Sequence, residues 1–118
     1  MATLHEDIQA VLDSAAGAGG AWYGINTQEP PTFPFLTWLV VVSSINNTLD
    51  GATANQPARI QVDILGERVA DVIGRYGAVL SALEAAGFGW LQLSYGDGAE
   101  PDLGAFRRRV DFSVWPGE

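Results

Sequence analysis

Between Phe35 and Ile45 the chain reads FLTWLVVVSSI. At the two-residue period of a strand, Leu36, Trp38, Val40 and Val42 fall on one face, and Leu39, Val41 and Ile45 on the other. A strand with one wet side alternates apolar with polar residues, whereas this one is apolar on both sides and so asks for cover on both. Any fold for this chain has to place that strand inside a sheet and supply two covers.

The rest of the sequence supplies one cover readily. Leu4, Ile8, Val11, Leu12 and Ala15 follow a Thr3-x-x-Glu6 capping box and predict a short amphipathic helix, which the run GAGG at 17–20 stops. Val69, Val72, Ile73, Tyr76, Leu80 and Leu83 step by three and four and predict a second helix over 67–86, ended by Gly87. Asp71 and Arg75, four apart, form a possible ion pair on its outer side.

AWYGIN after the first helix reads as a short extended piece. EPPTFPF, with Pro30, Pro31 and Pro34, predicts an extended, polyproline-like approach to the apolar strand. Residues 46–57 (NNTLDGATANQP) and 96–104 (GDGAEPDLG) carry the Gly, Asn, Asp and Pro of loops. Residues 58–65 alternate Ile60, Val62 and Ile64 against Arg59, Gln61 and Asp63. Residues 88–95 set Leu91, Leu93 and Tyr95 against Trp90, Gln92 and Ser94. Residues 105–115 set Phe106, Val110, Phe112 and Val114 against Arg107, Arg109, Asp111, Ser113 and Trp115. Arg108 falls on the apolar side of the last strand, and the expectation is that it sits near a strand end and reaches outward along its stem. The element order is α-β-β-α-β-β. It predicts a single α+β domain spanning 1–118, with a four-stranded, mainly antiparallel sheet and two helices on one face.

Two of these strands follow one pattern: RIQVDI at 59–64 and RRRVDF at 107–112 both fit Arg-x-x-Val-Asp-apolar. Arg and Asp four apart on a strand share a face but stand about 13 Å apart, too far to pair with each other. On neighbouring antiparallel strands each Arg can instead lie near the other's Asp. The alternative is that Asp63 and Asp111 are catalytic carboxylates, which requires a cleft and a partner acid or base within hydrogen-bond reach.

Composition narrows the chemistry. The chain has 118 residues and no cysteine, which removes disulfides, thiolate catalysis and cysteine-zinc sites. Fourteen acids against six arginines and no lysine leave a net charge of −8, which disfavours binding to phosphate backbones. The lone histidine, His5, reads as a solvated residue of the first helical turn. GAGG follows a helix and not a strand, so it is no dinucleotide loop, and no Gly-x-Ser-x-Gly, phosphate loop or His-rich metal spacing is present. The triplet Asn46-Asn47-Thr48 matches a glycosylation acceptor, which bears on secreted proteins alone. No apolar run is long enough to span a membrane, and no leader segment is evident. The expectation is no catalytic, cofactor or metal residue.

In order along the chain, WYGI (22–25), FPFLTWLVV (33–41), TLDG (48–51), RIQVDILG (59–66) leading into a long helix, and RRRVDFSVW (107–115) resemble the small phage tail terminator proteins. These are also called tail completion or tail-to-head joining proteins. The resemblance implies a non-enzymatic ring, usually of six subunits, on the head-proximal end of the tail tube. Such a ring ends tube polymerisation, meets the tail tube protein and the head connector protein, and lets DNA pass through its lumen without specific binding. It implies assembly in the bacterial host cytoplasm and a final place in the virion neck. It carries over no catalytic residue.

The strand apolar on both faces fits that expectation, because a second subunit would supply the missing cover. The interface residues expected are Trp38, Leu39, Val41, Arg107 and Arg109, the two arginines being free to meet carboxylates on a neighbour. Within a monomer, the first helix and the Pro-rich segment could instead wrap opposite faces. Two other functions stay open: a small-molecule-binding or enzymatic α+β domain with Trp22, Trp38, Trp90 and Tyr95 around a pocket, and a different neck or tail-tube component.

Overall fold

A computed structural model describes residues 4–41 and 58–115. The expected loop at 46–57, the strand residues Val42 and Ile45, the TLDG motif, the Asn46-Asn47-Thr48 triplet and the capping residue Thr3 lie outside the described residues. The fold is α+β. Helix α1 (Leu4–Ala15) leads to strands β1 (Ala21–Tyr23), β2 (Phe35–Val40) and β3 (Ala58–Gly66); helix α2 (Val69–Ala85) then precedes β4 (Gly89–Glu100) and β5 (Ala105–Trp115).

The sheet has five strands in the order β1-β2-β3-β5-β4, and it is mixed, because β1 runs parallel to β2 while the other neighbours are antiparallel. This corrects the four-stranded expectation in two places. The first three residues of AWYGIN are an edge strand, joined to β2 by Ala21↔Leu36 pairing. Gly20 and Gly17, at φ +76 and +87, turn the chain out of α1 into it. The expected loop at 96–104 is mostly strand: β4 runs to Glu100, and a 3₁₀ turn at Pro101–Leu103 with Gly104 at φ +64 closes a long hairpin onto β5. The Pro-rich segment is irregular, with cis peptide bonds before Pro30 and Pro34, in place of a polyproline approach.

Register sorts the side chains into two sets. Leu36, Ile64, Arg108 and Asp97 stand in one row across β2, β3, β5 and β4; Trp38, Val62, Val110 and Tyr95 form the next, and Val40, Ile60, Phe112 and Gln92 the third. This face meets both helices: Ile8, Leu12 and Ala15 of α1 and Val72, Val79 and Leu83 of α2 share one core with Leu36, Trp38, Ile60, Val62, Ile64, Val110, Phe112 and Val114. Of the helical stripe read from the sequence, Val69 and Ile73 are half exposed, and Val79 takes the inner position. A shift of register between Gln92 and Ser94 turns the rest of β4 over, so that Trp90, Gln92 and Tyr95 share the helix side while Leu91 faces away.

α2 begins at Arg68 with no side-chain cap and ends in a Schellman arrangement. Gly87 N–H donates to Glu84 O at 3.0 Å and Phe88 N–H to Leu83 O at 3.1 Å. Gly87, at φ +83, supplies the left-handed residue this ending needs. Arg75 does not pair with Asp71. It donates to the carbonyl of Ala15 at 3.1 Å, binding the two helices at the end of α1 where carbonyls lack helical partners; Asp71 meets Arg68 instead, at 3.6 Å. His5 is half-buried and not simply solvated: its ring lies 4.7 Å from that of Tyr23 and 4.8 Å from that of Trp38, and the Trp38 indole N–H donates to Gln9 Oε1 at 2.7 Å. Among the described residues no helix is long and apolar enough to cross a membrane.

Candidate functional site: the sheet face without helices

Because both helices pack on one side, the opposite face of the sheet carries the residues of the other parity. Its rows read Phe35–Leu65–Arg107–Gly98, Thr37–Asp63–Arg109–Gly96 and Leu39–Gln61–Asp111–Ser94, followed by Arg59–Ser113–Leu91. Phe35 and Leu65 are buried at one end, while Leu39 (39 % exposed) and Leu91 (57 % exposed) reach solvent nearer the other. The face is therefore sealed and apolar at Phe35 and Leu65, charged through the middle, and mixed toward the other end, where Leu39 and Leu91 stand among Gln61, Asp111, Arg59 and Ser113.

The repeated Arg-x-x-Val-Asp pattern is resolved by the register. β3 and β5 are antiparallel neighbours, and Asp63 stands opposite Arg109, which grips it with two hydrogen bonds of 2.8 and 3.1 Å. The expected reciprocal pairing does not form. Arg59 stands opposite Ser113 and Asp111 opposite Gln61, two residues away from the register that would pair both. Asp111 accepts instead from Ser94 Oγ at 3.1 Å.

Arg107 is held by Glu100, a residue the sequence reading left in a loop. Gly98 lies beneath the Arg107 guanidinium, and a Cβ there would stand 3.1 Å from its Nη2. Gly98 thus makes room for the Arg107 side chain on the neighbouring strand, whereas a Cβ at Gly96 would meet nothing within 4 Å. Strand periodicity in residues 96–98 was the signal that could have revealed this, but glycine there reads first as turn.

Arg107 and Arg109 are each paired within the subunit, to Glu100 and Asp63. Of the other residues expected at an interface, Trp38 is 1 % exposed and faces the helices, so it presents nothing to a partner. Leu39 and Val41 lie on the helix-free side, Val41 N–H donating to Arg59 O at 2.8 Å.

Arg108 takes a position that the sequence reading missed. On the helix side it lies between the rings of Tyr76 and Tyr95, at 5.0 and 4.8 Å from their centroids, and chelates Asp97 with bonds of 2.7 and 3.0 Å. It does not reach outward; its side chain is 16 % exposed. The hydrogen bond from Arg108 holds the Asp97 carboxyl below its ordinary value of 3.8, against a smaller opposing effect of burial.

One concavity of about 410 Å³ opens on the helix-free face, lined by residues of the turn after β1 and of β2, β3, β4 and β5, Arg107 and Arg109 among them. The four aromatics of the ligand-pocket alternative are engaged elsewhere. Trp38 packs with His5 and Tyr23, Trp90 against Phe112, and Tyr95 on Arg108, while the Trp22 indole donates to Gly19 O at 2.9 Å. Among the described residues, no group of three or more His, Asp or Glu side chains is gathered as a metal site requires. No family model matches the chain, and no curated protein matches it.

Proposed function

We propose that this chain is a non-enzymatic assembly subunit of the phage tail terminator kind, which caps the head-proximal end of a tail tube as a ring and joins tail to head. The observation that carries the reading is the one-sided packing. Two helices cover one face of a five-stranded sheet, and the other face keeps Leu39 and Leu91 exposed beside a charged ladder. A sheet face of that kind is completed by another protein surface, and here the partners are further copies, the tail tube protein and the head connector protein. β4 strengthens the case as an outer strand of 12 residues, long enough to extend the sheet into a neighbour. The net charge of −8 suits a lumen through which DNA slides without sticking. Assembly takes place in the bacterial host cytoplasm, and the finished ring sits in the virion neck.

The test replaces Leu39 and Leu91 together by Glu. Both side chains are exposed, so the subunit should fold with little change in melting temperature. Electron microscopy of phage carrying the double change should show overlong or headless tails. Normal virions at normal yield would remove this face from any capping role, and rings that cap tubes without these leucines would refute the interface while leaving the function to another surface.

A further inference from the structure

The concavity on the helix-free face has a chemical bias of its own. Among the described residues, two buried side-chain nitrogens lack a hydrogen-bond partner, Asn26 Nδ2 and Arg107 Nε, and both residues line this one concavity. Buried polar atoms without partners are few in folded proteins, and two converging on one hollow need a common account.

The local geometry fixes their direction. Gly24, at φ +83, turns the chain out of β1, with its N–H on Trp38 O at 2.8 Å, and carries Ile25 and Asn26 onto the concavity. Asn26 Oδ1 accepts from Gln28 N–H at 2.8 Å, which pins the oxygen and leaves the amide nitrogen as the group on offer. Arg107 commits Nη1 to Glu100, so its Nε edge is left over. Arg109 commits Nε and Nη2 to Asp63, which leaves Nη1 outside that pair. The donors left over on these three residues are Asn26 Nδ2, Arg107 Nε and Arg109 Nη1.

Their complement is an acceptor. Arg107 and Arg109 are balanced in charge by Glu100 and Asp63, which line the same hollow, so it suits a singly charged acceptor better than a doubly charged phosphate. Apart from Gly24 and the hydroxyl of Thr37, the remaining wall is apolar, from Ile25, Phe35, Leu65 and Leu103. A volume of about 410 Å³ falls within the usual range of small-ligand pockets.

We propose that this concavity is a receptor for one carboxylate group flanked by apolar carbon, with Asn26 Nδ2 and Arg107 Nε as its donors. The carboxylate comes from a free small molecule or from an acidic side chain of another copy of this chain.

The experiment is a nitrogen-15 NMR titration of the full chain with 3-phenylpropanoate, beside 3-phenylpropylamine of the same shape and opposite charge. The Arg107 Nε–H and Asn26 side-chain amide resonances should shift downfield and saturate with the carboxylate and stay in place with the amine. Arg107→Lys, which keeps the charge but removes Nε, and Asn26→Leu, which lies in a loop and removes the amide, should each weaken binding about tenfold or more. Two independent variants keep the test intact where one of them unfolds. Absence of a saturable shift at both resonances overturns the proposal, as does unchanged affinity in the folded variants or a uniform response of all arginines including exposed Arg59 and Arg68. The source is then separated by dilution. Resonances that move with protein concentration, and complexes that 3-phenylpropanoate dissociates, assign the carboxylate to another copy; a chain that stays monomeric while binding the probe assigns it to a free molecule.

Discussion

Replacing Arg108 by Ala removes three interactions at once, and the structure allows their sum to be worked. The guanidinium stands 5.0 and 4.8 Å from the ring centroids of Tyr76 and Tyr95, and each such cation–π contact contributes about 0.5–1 kcal/mol near a surface. Its paired bonds to Asp97, whose side chain is 58 % exposed, add about 0.5–1 kcal/mol after solvent screening. The variant should therefore lose about 2 kcal/mol, a drop in melting temperature of roughly 6–10 °C for a domain of this size.

Urea unfolding separates the parts. Asp97→Ala should cost about 0.5–1 kcal/mol alone and nearly nothing in the Arg108→Ala background, because the pair is then already gone. Arg108→Lys should fall between wild type and Ala, since an ammonium keeps the charge but loses the planar fork that both stacks and chelates.

Acid supplies an independent check. The folded Asp97 carboxyl is held below 3.8, so its contribution is complete above that value and is lost as pH falls through the lower folded value. The gap between wild type and Asp97→Ala should accordingly close on acidification below 3.8, whereas the ring contacts of Arg108 should persist. A loss under about 0.5 kcal/mol for Arg108→Ala, or a full Asp97→Ala effect in its absence, would refute this account of the cluster.

Four further substitutions probe other joints of the fold. Arg75→Ala should destabilise by about 1–2 kcal/mol in urea unfolding, because a charged donor leaves the carbonyl end of α1. Arg68→Ser should stabilise by about 0.5–1 kcal/mol, since α2 starts there without a side-chain cap and the pair to Asp71 is exposed and weak. Asp63→Asn should cost at most about 1 kcal/mol and leave assembly intact; loss of a hydrolytic activity in that variant would argue for chemistry at the ladder. Gly98→Val should lower the melting temperature and shift the Arg107 Nε–H resonance, because any Cβ there presses on the guanidinium.

What the sequence made legible was periodicity, and what it hid was register. The two helices, the wet face of β3 and the two-faced apolar run of β2 follow from local spacing, although the α2 stripe is rotated, with Val79 in the core and Val69 and Ile73 half exposed. The failures share a cause. GDG at 96–98 has the composition of a turn, and its strand role comes from the arginines across from it, which local propensity does not register. β1 is three residues long, too short for any alternation to show, and exists because it pairs with β2. The inward position of Arg108 follows from parity, but its accommodation depends on Tyr76, thirty-two positions earlier in the chain, and on the irregularity between Gln92 and Ser94 that brings Tyr95 to the same side. Asn26 entered no motif, and its role in the concavity depends on an Asx turn and on Gly24.

The two-faced apolar strand that demanded two covers receives one and a half of them inside the described subunit. On the helix side the demand is met in full, since Leu36 and Trp38 are buried under α1 and α2. On the other side the turn after β1 reaches the sheet near Phe35 and Leu65, and both are buried. That partial wrap ends before Leu39, so exposure rises along a single strand from 3 % at Phe35 to 39 % at Leu39. The ion pairs Arg107–Glu100 and Arg109–Asp63 stand where the cover stops, between the buried Phe35 and Leu65 and the exposed Leu39. A partner that buries Leu39 and Leu91 must also desolvate or stay clear of this charged middle, where unmatched charge costs more than the apolar contact returns. On the proposed reading, a surface that binds this face needs polar groups matching the ladder.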